Sequence, residues 1–228
     1  MDSQTIKRRL RELGADLVGI APAERLAAAP KGHHPCDILP GCRSVIVFAC
    51  RFPAGPLDCA STVPYTVTRN ILSNRMDQMA VQFCTELETA GVLAVPTSTN
   101  SFEIQDPDTG RWRAPVSAKH CAAAAGLGRI GRNTLLITPK FGNMVWLSVI
   151  LTTAALAPDP PLPGEACPEN CHLCETVCPV HAIDGPELKQ MTCFEHAFDS
   201  GTGEQWIVCF QCRRVCPHCF GTENAQLK

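Results

Sequence analysis

The most informative segment of the chain is CPENCHLCETVCP, at residues 167–179. It is followed by a lone Cys193 and by a second cysteine-rich stretch, CFQCRRVCP, at residues 209–217. Both stretches end in Cys-Pro, and nine of the fifteen cysteines of this 228-residue chain lie after residue 166. The C-terminal part therefore has a chemistry that the longer part before it does not share.

The cysteine spacing is close to that of bacterial ferredoxins that carry two iron-sulfur clusters. In that pattern, consecutive cysteines ligate one 4Fe-4S cluster, whereas the cysteine before proline ligates the other cluster. The spacing Cys167-x3-Cys171 is one residue longer than the usual run. The pattern predicts two clusters with eight ligands, the first held by Cys167, Cys171, Cys174 and Cys216 and the second by Cys178, Cys193, Cys209 and Cys212.

Structural zinc is the alternative use of these thiols. The C-x-x-C pairs Cys171/Cys174 and Cys209/Cys212 have the spacing of a four-thiolate zinc site. Zinc leaves the two Cys-Pro endings and the surplus cysteines unexplained, so we favour the clusters. Cys219 has no place in the eight-ligand scheme. The earlier cysteines that lie on apolar segments, where we expect small buried hydrophobic residues, are Cys50, Cys84 and Cys121.

Charge and hydropathy exclude several classes of protein. Lys and Arg number 20 and Asp and Glu number 22, which gives a net charge of −2, and no block of like charges is present. This pattern favours neither nucleic acid nor an anionic membrane surface as a partner. The longest apolar run, at residues 144–157, is shorter than the roughly 20 residues that span a bilayer. Because no export signal is visible at the N-terminus, we expect a cytoplasmic protein in which clustered cysteines bind metal rather than form disulfides.

The segments before the cysteines predict a domain in which helices and strands alternate. Apolar periodicity predicts one helix to about Leu13 and a longer one from Tyr65 to Glu88. The proline-rich segment PDPPLP, at residues 158–163, predicts a boundary between a first domain, residues 1–160, and a second, residues 161–228. Strands are predicted for DLVGIAP (16–22), SVIVFACRF (44–52), VLAVPT (92–97), TLLIT (134–138) and MVWLSVILTT (144–153).

The segment GLGRIG contains three glycines, Gly126, Gly128 and Gly131. It matches G-x-G-x-x-G, but a dinucleotide fingerprint follows a strand and opens a helix, whereas here a helix precedes the glycines and a strand follows. Glycines still let backbone N–H groups approach an anion, and Arg132 and Asn133 add a cation and a polar group. The segment therefore predicts a site for a phosphate-bearing cofactor. The alternative is a tight helix-to-strand turn with Arg132 as a solvated charge.

Three segments together resemble the epoxyqueuosine reductase family, which is related to the reductive dehalogenases. They are GCRSVIVFACRF (41–52), HCAAAAGLGRIGRNTLLITPKFGNMVWLSVILTT (120–153) and the cysteine block with Cys193. The resemblance extends from about residue 5 to residue 219. It implies a nitroreductase-like α/β domain with a C-terminal ferredoxin-like module, and a cobalamin whose cobalt is reduced through the two clusters. FMN on the same scaffold is the alternative cofactor, and the glycine segment would lie against whichever is bound.

The sequence departs from the family pattern at the presumed proton donor. The family's reductase carries an Asp just before its Ala-Pro, and the matching residue in RWRAPVSAKH is Trp112. Asp106 and Asp108 stand nearby in sequence. Family members that act on transfer RNA also continue into helical repeats, whereas this chain ends at Lys228. We therefore expect a small-molecule substrate other than epoxyqueuosine, and no nucleic acid.

Two functions follow from these expectations. The first is a reductase that takes electrons from a low-potential donor of the ferredoxin or flavodoxin type and delivers them to the corrinoid or flavin and then to the substrate. The second is a non-catalytic electron carrier or cobalamin-handling module for a larger partner enzyme. A homodimer is left open as the assembly. The polar and aromatic residues expected near the cofactor cavity are Arg51, Tyr65, Arg111, Trp112, Arg113, Lys119 and His120.

Overall fold

A computed structural model describes residues 1–99, 104–185, 187–199, 206–223 and 226 of the chain. Over these residues the protein has a mixed α/β fold. Its helices are α1 (Ser3–Leu13), α2 (Pro35–Ile38), α3 (Val63–Thr89), α4 (Ala118–Ala124), α5 (Leu173–Val177), α6 (Gln190–Ala197) and α7 (Gln211–Arg214). Its strands are β1 (Leu17–Pro22), β2 (Ser44–Arg51), β3 (Ala94–Thr97), β4 (Ile104–Gln105), β5 (Trp112–Arg113), β6 (Arg129–Ile130), β7 (Leu136–Ile137), β8 (Val145–Thr152), β9 (Ile183–Asp184), β10 (Glu187–Leu188), β11 (Phe198–Asp199) and β12 (Trp206–Ile207).

The central sheet has four strands in the order β1-β2-β8-β3, and every neighbouring pair is antiparallel. The long strand β8 lies between β2 and β3, although it follows β3 by about fifty residues. Alternating helices and strands usually form parallel sheets, whereas the strands of this sheet are antiparallel. The sequence predicted an α/β fold without predicting the direction of the strands. The nitroreductase-like and ferredoxin-like descriptions of the two parts stay predictions.

Both faces of the sheet are covered, and strand β2 shows this residue by residue. Val45, Val47 and Ala49 point to the face covered by α4, whereas Ile46 and Phe48 point to the face covered by α1 and α3. All seven residues 44–50 are buried. A continuous apolar run is what such a doubly covered strand requires, and it was predicted from SVIVFACRF.

Helix α1 is specified by its ends as well as by its apolar face. The carboxylate of Asp2 accepts a hydrogen bond from the backbone N–H of Thr5 at 2.8 Å, which caps the helix. Gly14 ends the helix in the left-handed conformation, with φ 112°. Ile6 and Leu10 are fully buried.

Within the described residues, no helix combines the length and apolar composition required to cross a bilayer.

The cysteine-rich part docks on the first part through a third apolar cluster. Phe52 and Met144 pack there with Phe220, and the ring of Tyr65 stacks on that of Phe210 at 4.2 Å between centroids. The proline-rich segment 158–163 contains neither helix nor strand, as predicted. The assignment of two separate domains at this segment stays a prediction.

Three buried thiols predict a loss of stability at alkaline pH. Burial raises the pKa of Cys50 to about 11 and the pKa values of Cys84 and Cys121 to about 12. The stability linked to a raised thiol pKa is fully present below the unfolded value, about 8.5, and is lost as the pH rises through the folded value. We expect the free energy of unfolding to fall by about 1 kcal/mol per thiol for each pH unit above 9.

Denaturant titrations of reduced protein at pH 8 and pH 10.5 measure this loss. The triple variant Cys50→Ala, Cys84→Ala, Cys121→Ala retains the other alkaline groups and should lose less stability over the same interval. An equal loss in the variant and the wild type would show that these thiols do not carry the effect.

Candidate functional site

A large cavity lies between the first part of the chain and the cysteine-rich part. Its volume is about 1860 Å³, compared with roughly 300–1,000 Å³ for ordinary ligand pockets. One wall is formed by β5, the loop to α4 and the glycine segment. Another part of the wall includes Cys167, Leu188 and Gln190 of the cysteine-rich part. The cavity therefore has the size of a site for a large cofactor together with a substrate.

The glycines of GLGRIG are required by close packing. A Cβ atom on Gly128 would lie 2.5 Å from the carbonyl oxygen of Ile137, and one on Gly131 would lie 2.6 Å from the side chain of Ile137. Gly126 has φ +73° and faces the carbonyl of Pro160. Gly128 and Gly131 line the cavity. The segment follows α4 and itself contains the short strand β6, and the strand predicted after it at residues 134–138 is present as β7, which is shorter than predicted.

Arg132 and Asn133 connect the glycine segment to both cysteine stretches. The backbone N–H of Arg132 lies 3.5 Å from Sγ of Cys167, and its Nη2 donates to the carbonyl of Glu169 at 2.8 Å. Nδ2 of Asn133 donates to the carbonyl of Cys212 at 3.1 Å. Arg132 lines the cavity and is therefore more than a solvated surface charge. These two residues, proposed from sequence as cofactor ligands, also hold the cysteine-rich part in place.

The thiols predicted for the second cluster lie near one another. Burial raises the pKa of Cys193, and the thiols of Cys178 and Cys209 raise it further. Burial also raises the pKa of Cys212 to about 12, with smaller contributions from neighbours that include Cys193 and Cys209. Ligation requires thiolates, so we expect protons to be released when metal binds here.

Two of the thiols predicted for the first cluster, Cys174 and Cys167, lie close enough to interact. Burial raises the pKa of Cys174, with Glu175 and then Cys167 as further causes, and Cys174 also acts on Cys212 of the other set. In the described part of the chain, no three His, Cys, Asp or Glu side chains lie close enough together to hold a metal ion. The division into two ligand sets stays a prediction.

The donor set nevertheless fits iron-sulfur clusters. The backbone N–H of Ala182 donates to Sγ of Cys178 at 3.3 Å, and the N–H of Arg132 approaches Sγ of Cys167. N–H groups that point at cysteine sulfur stabilise the thiolate and tune the potential of a bound cluster. Helices α5 and α7, which carry Cys174 and Cys212, pack against each other. Cys219 is buried, and its carbonyl lies so close to Gly142 that a Cβ atom added to this glycine would clash with it.

The cavity wall also fits a large cofactor with polar substituents. Oδ1 of Asn143 and the Nε atoms of Arg69 and Arg129 are buried and have no hydrogen-bond partner among the described residues. All three residues line the cavity. Sequence reasoning singled out none of the three as a site residue. The signal at Asn143 was the Gly-Asn pair at residues 142–143 before β8, a pair that is typical of a turn and does not by itself indicate a site.

Five of the seven residues expected near a cavity line it. Arg51 instead lies exposed at the end of β2, where its backbone N–H donates to Asp16 at 2.7 Å. Tyr65 is buried in the third apolar cluster, because an aromatic ring gains more there from stacking on Phe210. Those that line the cavity are Arg111, Trp112, Arg113, Lys119 and His120.

Two basic side chains on the cavity wall have lowered pKa values. Burial lowers the pKa of Lys119, and the charge of Arg111 lowers it further. Burial and then the charge of Lys119 lower the pKa of His120. Nζ of Lys119 donates to the carbonyl of Thr134 at 3.0 Å, and Nδ1 of His120 lies 2.6 Å from Oγ of Ser117. Both groups are suited to exchange protons within the cavity.

The Trp112 position is fixed by the cysteine-rich part. The backbone N–H of Trp112 donates to Oε1 of Gln190 at 2.8 Å, and Nε2 of Gln190 donates to the Trp112 carbonyl at 2.9 Å.

Asp106 lies in the hairpin that β4 and β5 form, and the backbone N–H of Thr109 is the main cause of its lowered pKa. Its carboxylate also pairs with Arg113 at 3.1 Å. Asp106 therefore stabilises the hairpin between β4 and β5.

Comparison with curated proteins finds relatives of two kinds. An epoxyqueuosine reductase from Gloeobacter violaceus is 30% identical over 255 residues, which cover 93% of this chain and 74% of that protein. One from Pseudomonas aeruginosa is 25% identical and covers 94% of this chain and 68% of its own length. A tetrachloroethene reductive dehalogenase from Desulfitobacterium hafniense is 29% identical and covers 79% of this chain and 38% of its own length. No family model matches the chain.

Solved structures of both kinds share the fold. An epoxyqueuosine reductase with an epoxyqueuosine-modified tRNA-Tyr stem-loop superimposes with a TM-score of 0.65 over 95% of this chain, at 18% identity. A reductive dehalogenase, whose structure suggests a mechanism for B12-dependent dehalogenation, superimposes with a TM-score of 0.68 over 98% of this chain, at 18% identity. The chain spans 64% of the length of the first and 33% of the length of the second.

Proposed function

This chain belongs to the epoxyqueuosine reductase family, and we propose that it is an iron-sulfur oxidoreductase that passes low-potential electrons through two 4Fe-4S clusters to a corrinoid in the large cavity. The proposal is supported by the reductases and dehalogenases among its relatives and by the solved dehalogenase whose structure suggests a B12-dependent mechanism. FMN is the alternative occupant. A cavity of about 1860 Å³ favours the larger cofactor.

One observation carries the proposal: the predicted cluster ligand Cys167 lines the same cavity as Gly128, Gly131 and Arg132. A cluster held there would lie beside the cofactor without an intervening protein layer. When bound, the clusters supply single electrons at low potential and the corrinoid supplies a strong two-electron reductant.

The chain's own residues would bind the cofactor, cover the cavity and supply protons to the substrate. Asn143 and Arg129 offer buried polar atoms to the substituents of the cofactor. Trp112, held by Gln190, covers the cavity where the family carries its Asp. We assign proton supply to Nζ of Lys119 and to the imidazole of His120, because the indole N–H of Trp112 is not acidic enough to act as a general acid.

The presence of Trp112 where the family carries its Asp also supports a small substrate other than epoxyqueuosine. A solved relative holds a tRNA stem-loop, however, which counts against our expectation that nucleic acid is not a partner. An assay should therefore include tRNA that carries epoxyqueuosine alongside small molecules. Turnover of that tRNA would refute the small-molecule assignment and leave the reductase proposal standing.

The second candidate is a non-catalytic electron carrier or cobalamin-handling module. The loss of the family's Asp at Trp112 is the observation that favours it. A stable complex with a larger enzyme, together with no turnover by the isolated chain under a low-potential donor, would establish it over the reductase.

A pair of matched variants tests the cofactor site. Leu147 lines the cavity, whereas Leu93 is 60% exposed elsewhere. After anaerobic reconstitution with iron and sulfide, we expect hydroxocobalamin to bind the wild type and Leu93→Trp alike. Leu147→Trp should weaken binding roughly tenfold or more, since overpacking a site costs about 1–3 kcal/mol. Protein that contains iron and sulfide but binds neither cobalamin nor FMN would refute the proposal.

A further inference from the structure

The charge of the cavity wall differs from that of the chain. Among the described residues that line it, eight are Arg or Lys and two are Glu, although the whole chain has a net charge of −2. Six of the cations bond to main-chain carbonyls, namely Arg25, Arg111, Lys119, Arg129, Arg132 and Arg213, and of these only Arg132 also forms an ion pair among the described residues. A carbonyl satisfies a donor but leaves the positive charge uncompensated. The cavity is therefore electropositive.

Arg69 is the most exceptional of these cations. It lies on α3, its Nη1 donates to Oδ1 of Asn70 at 2.9 Å, and its buried Nε has no partner in the described part of the chain. The ion pairs of that part do not include Arg69. Burial is the main cause of its lowered pKa. Burying half of a guanidinium without a carboxylate partner costs free energy, unless a ligand supplies the negative charge and the missing hydrogen-bond acceptor.

The surroundings of Arg69 define the rest of the ligand. Helix α3 packs against β3, β8 and β12. These three strands contribute Thr97, Trp146 and Ile207 to the cavity wall. A charged group beside an aromatic and an aliphatic side chain is the usual composition of a pocket for a small ligand with one ionised group. The planar guanidinium fork matches a carboxylate or a phosphate in a bidentate arrangement.

We propose that Arg69 is an anchor for an oxyanion, a carboxylate or phosphate, on a ligand bound in the cavity. The proposal rests on the proposed function only in taking this cavity as the active site, and it adds the class of ligand. Two sources share this chemistry: an anionic substrate, and the phosphate in the nucleotide loop of a complete cobalamin.

Isothermal titration of cluster-loaded protein with benzoate and with its neutral isostere benzamide tests the anchor. We expect the wild type to prefer benzoate, and Arg69→Gln to lose the preference by roughly 10- to 100-fold, as for a charge-assisted hydrogen-bonded pair. Arg69→Lys should retain part of it. Arg75→Gln is the matched control, because Arg75 is exposed on the same helix and bonds to the carbonyl of Gly14.

The second arm identifies the source by comparing cobalamin with cobinamide, which lacks the phosphate. If Arg69→Gln weakens cobalamin but not cobinamide, the oxyanion is that of the cofactor. If it weakens only benzoate, the oxyanion belongs to the substrate. An unchanged benzoate preference together with an unchanged cobalamin-to-cobinamide ratio would overturn the anchor. Failure of every variant to bind corrinoid would instead refute the proposed cofactor, and the benzoate arm would still test Arg69.

Discussion

Replacing Cys193 by alanine is expected to lower the iron and acid-labile sulfide of anaerobically purified protein by half, from about eight to about four of each per chain. Cys193 lies on α6, and its half-buried thiol is close to those of Cys178 and Cys209. It belongs to the predicted second cluster alone. The first cluster should remain, because its four predicted ligands are unchanged.

The same substitution should abolish electron delivery to the bound cofactor. Electrons from an external low-potential donor must cross both clusters in series if the two cysteine sets are interlaced as predicted. Removal of either cluster then stops the reaction even though half of the iron is retained. Electron paramagnetic resonance of dithionite-reduced protein should change from the spectrum of two interacting clusters to that of one.

Cys59→Ala is the control for this prediction. Cys59 is exposed, and its thiol lies 3.5 Å from the carbonyl of Gly55, outside the cysteine-rich part. Its substitution should leave iron, sulfide and electron delivery unchanged. Zinc without acid-labile sulfide in the wild type, or full iron in Cys193→Ala, would refute the two-cluster assignment.

Features that depend on local chemistry were accessible from sequence. Helix α1 was predicted to end at about Leu13, and it does end there because Gly14 adopts the left-handed conformation. The buried strand β2 follows from its continuous apolar run. Helix α3 was predicted from apolar spacing, and it begins two residues before Tyr65 and ends one residue after Glu88.

Features that depend on distant partners were not accessible. The insertion of β8 between β2 and β3 joins strands that are far apart in sequence, and no local pattern encodes that order. Arg69 resembled any other arginine of a helix until α3 was seen to form part of the cavity wall. Tyr65 was expected at the cavity because an aromatic residue beside polar ones suits a site equally well as a core.

Arg213→Met is expected to destabilise the docking of the cysteine-rich part, whereas Arg214→Met is not. Arg213 is 6% exposed, its Nη1 donates to the Asn143 carbonyl, and its guanidinium lies 5.2 Å from the centre of the Trp146 ring. Nδ2 of Asn143 donates in return to the Arg213 carbonyl at 3.3 Å. Loss of a charged hydrogen bond and a cation–π contact should cost about 2–4 kcal/mol.

Arg214 is the adjacent control. Its side chain is exposed and reaches Asp58 at 3.3 Å, and a surface pair of this kind is worth about 0–1 kcal/mol. Methionine at either position keeps a long apolar chain, so the comparison isolates the burial of the charge. Thermal unfolding followed by far-ultraviolet circular dichroism measures the two variants, with and without clusters.

The state of the clusters should decide how large the Arg213 effect is. In the described part of the chain, Arg213 forms no ion pair, so its buried charge offsets part of what its hydrogen bonds contribute in protein without clusters. A cluster ligated by four thiolates, with Cys212 next in sequence, would be anionic and would compensate that charge. Arg213→Met should therefore lower the unfolding temperature more in the cluster-loaded protein than in the cluster-free protein. An equal or smaller loss in the loaded protein would show that Arg213 only packs, and that the charge of the cluster is balanced elsewhere.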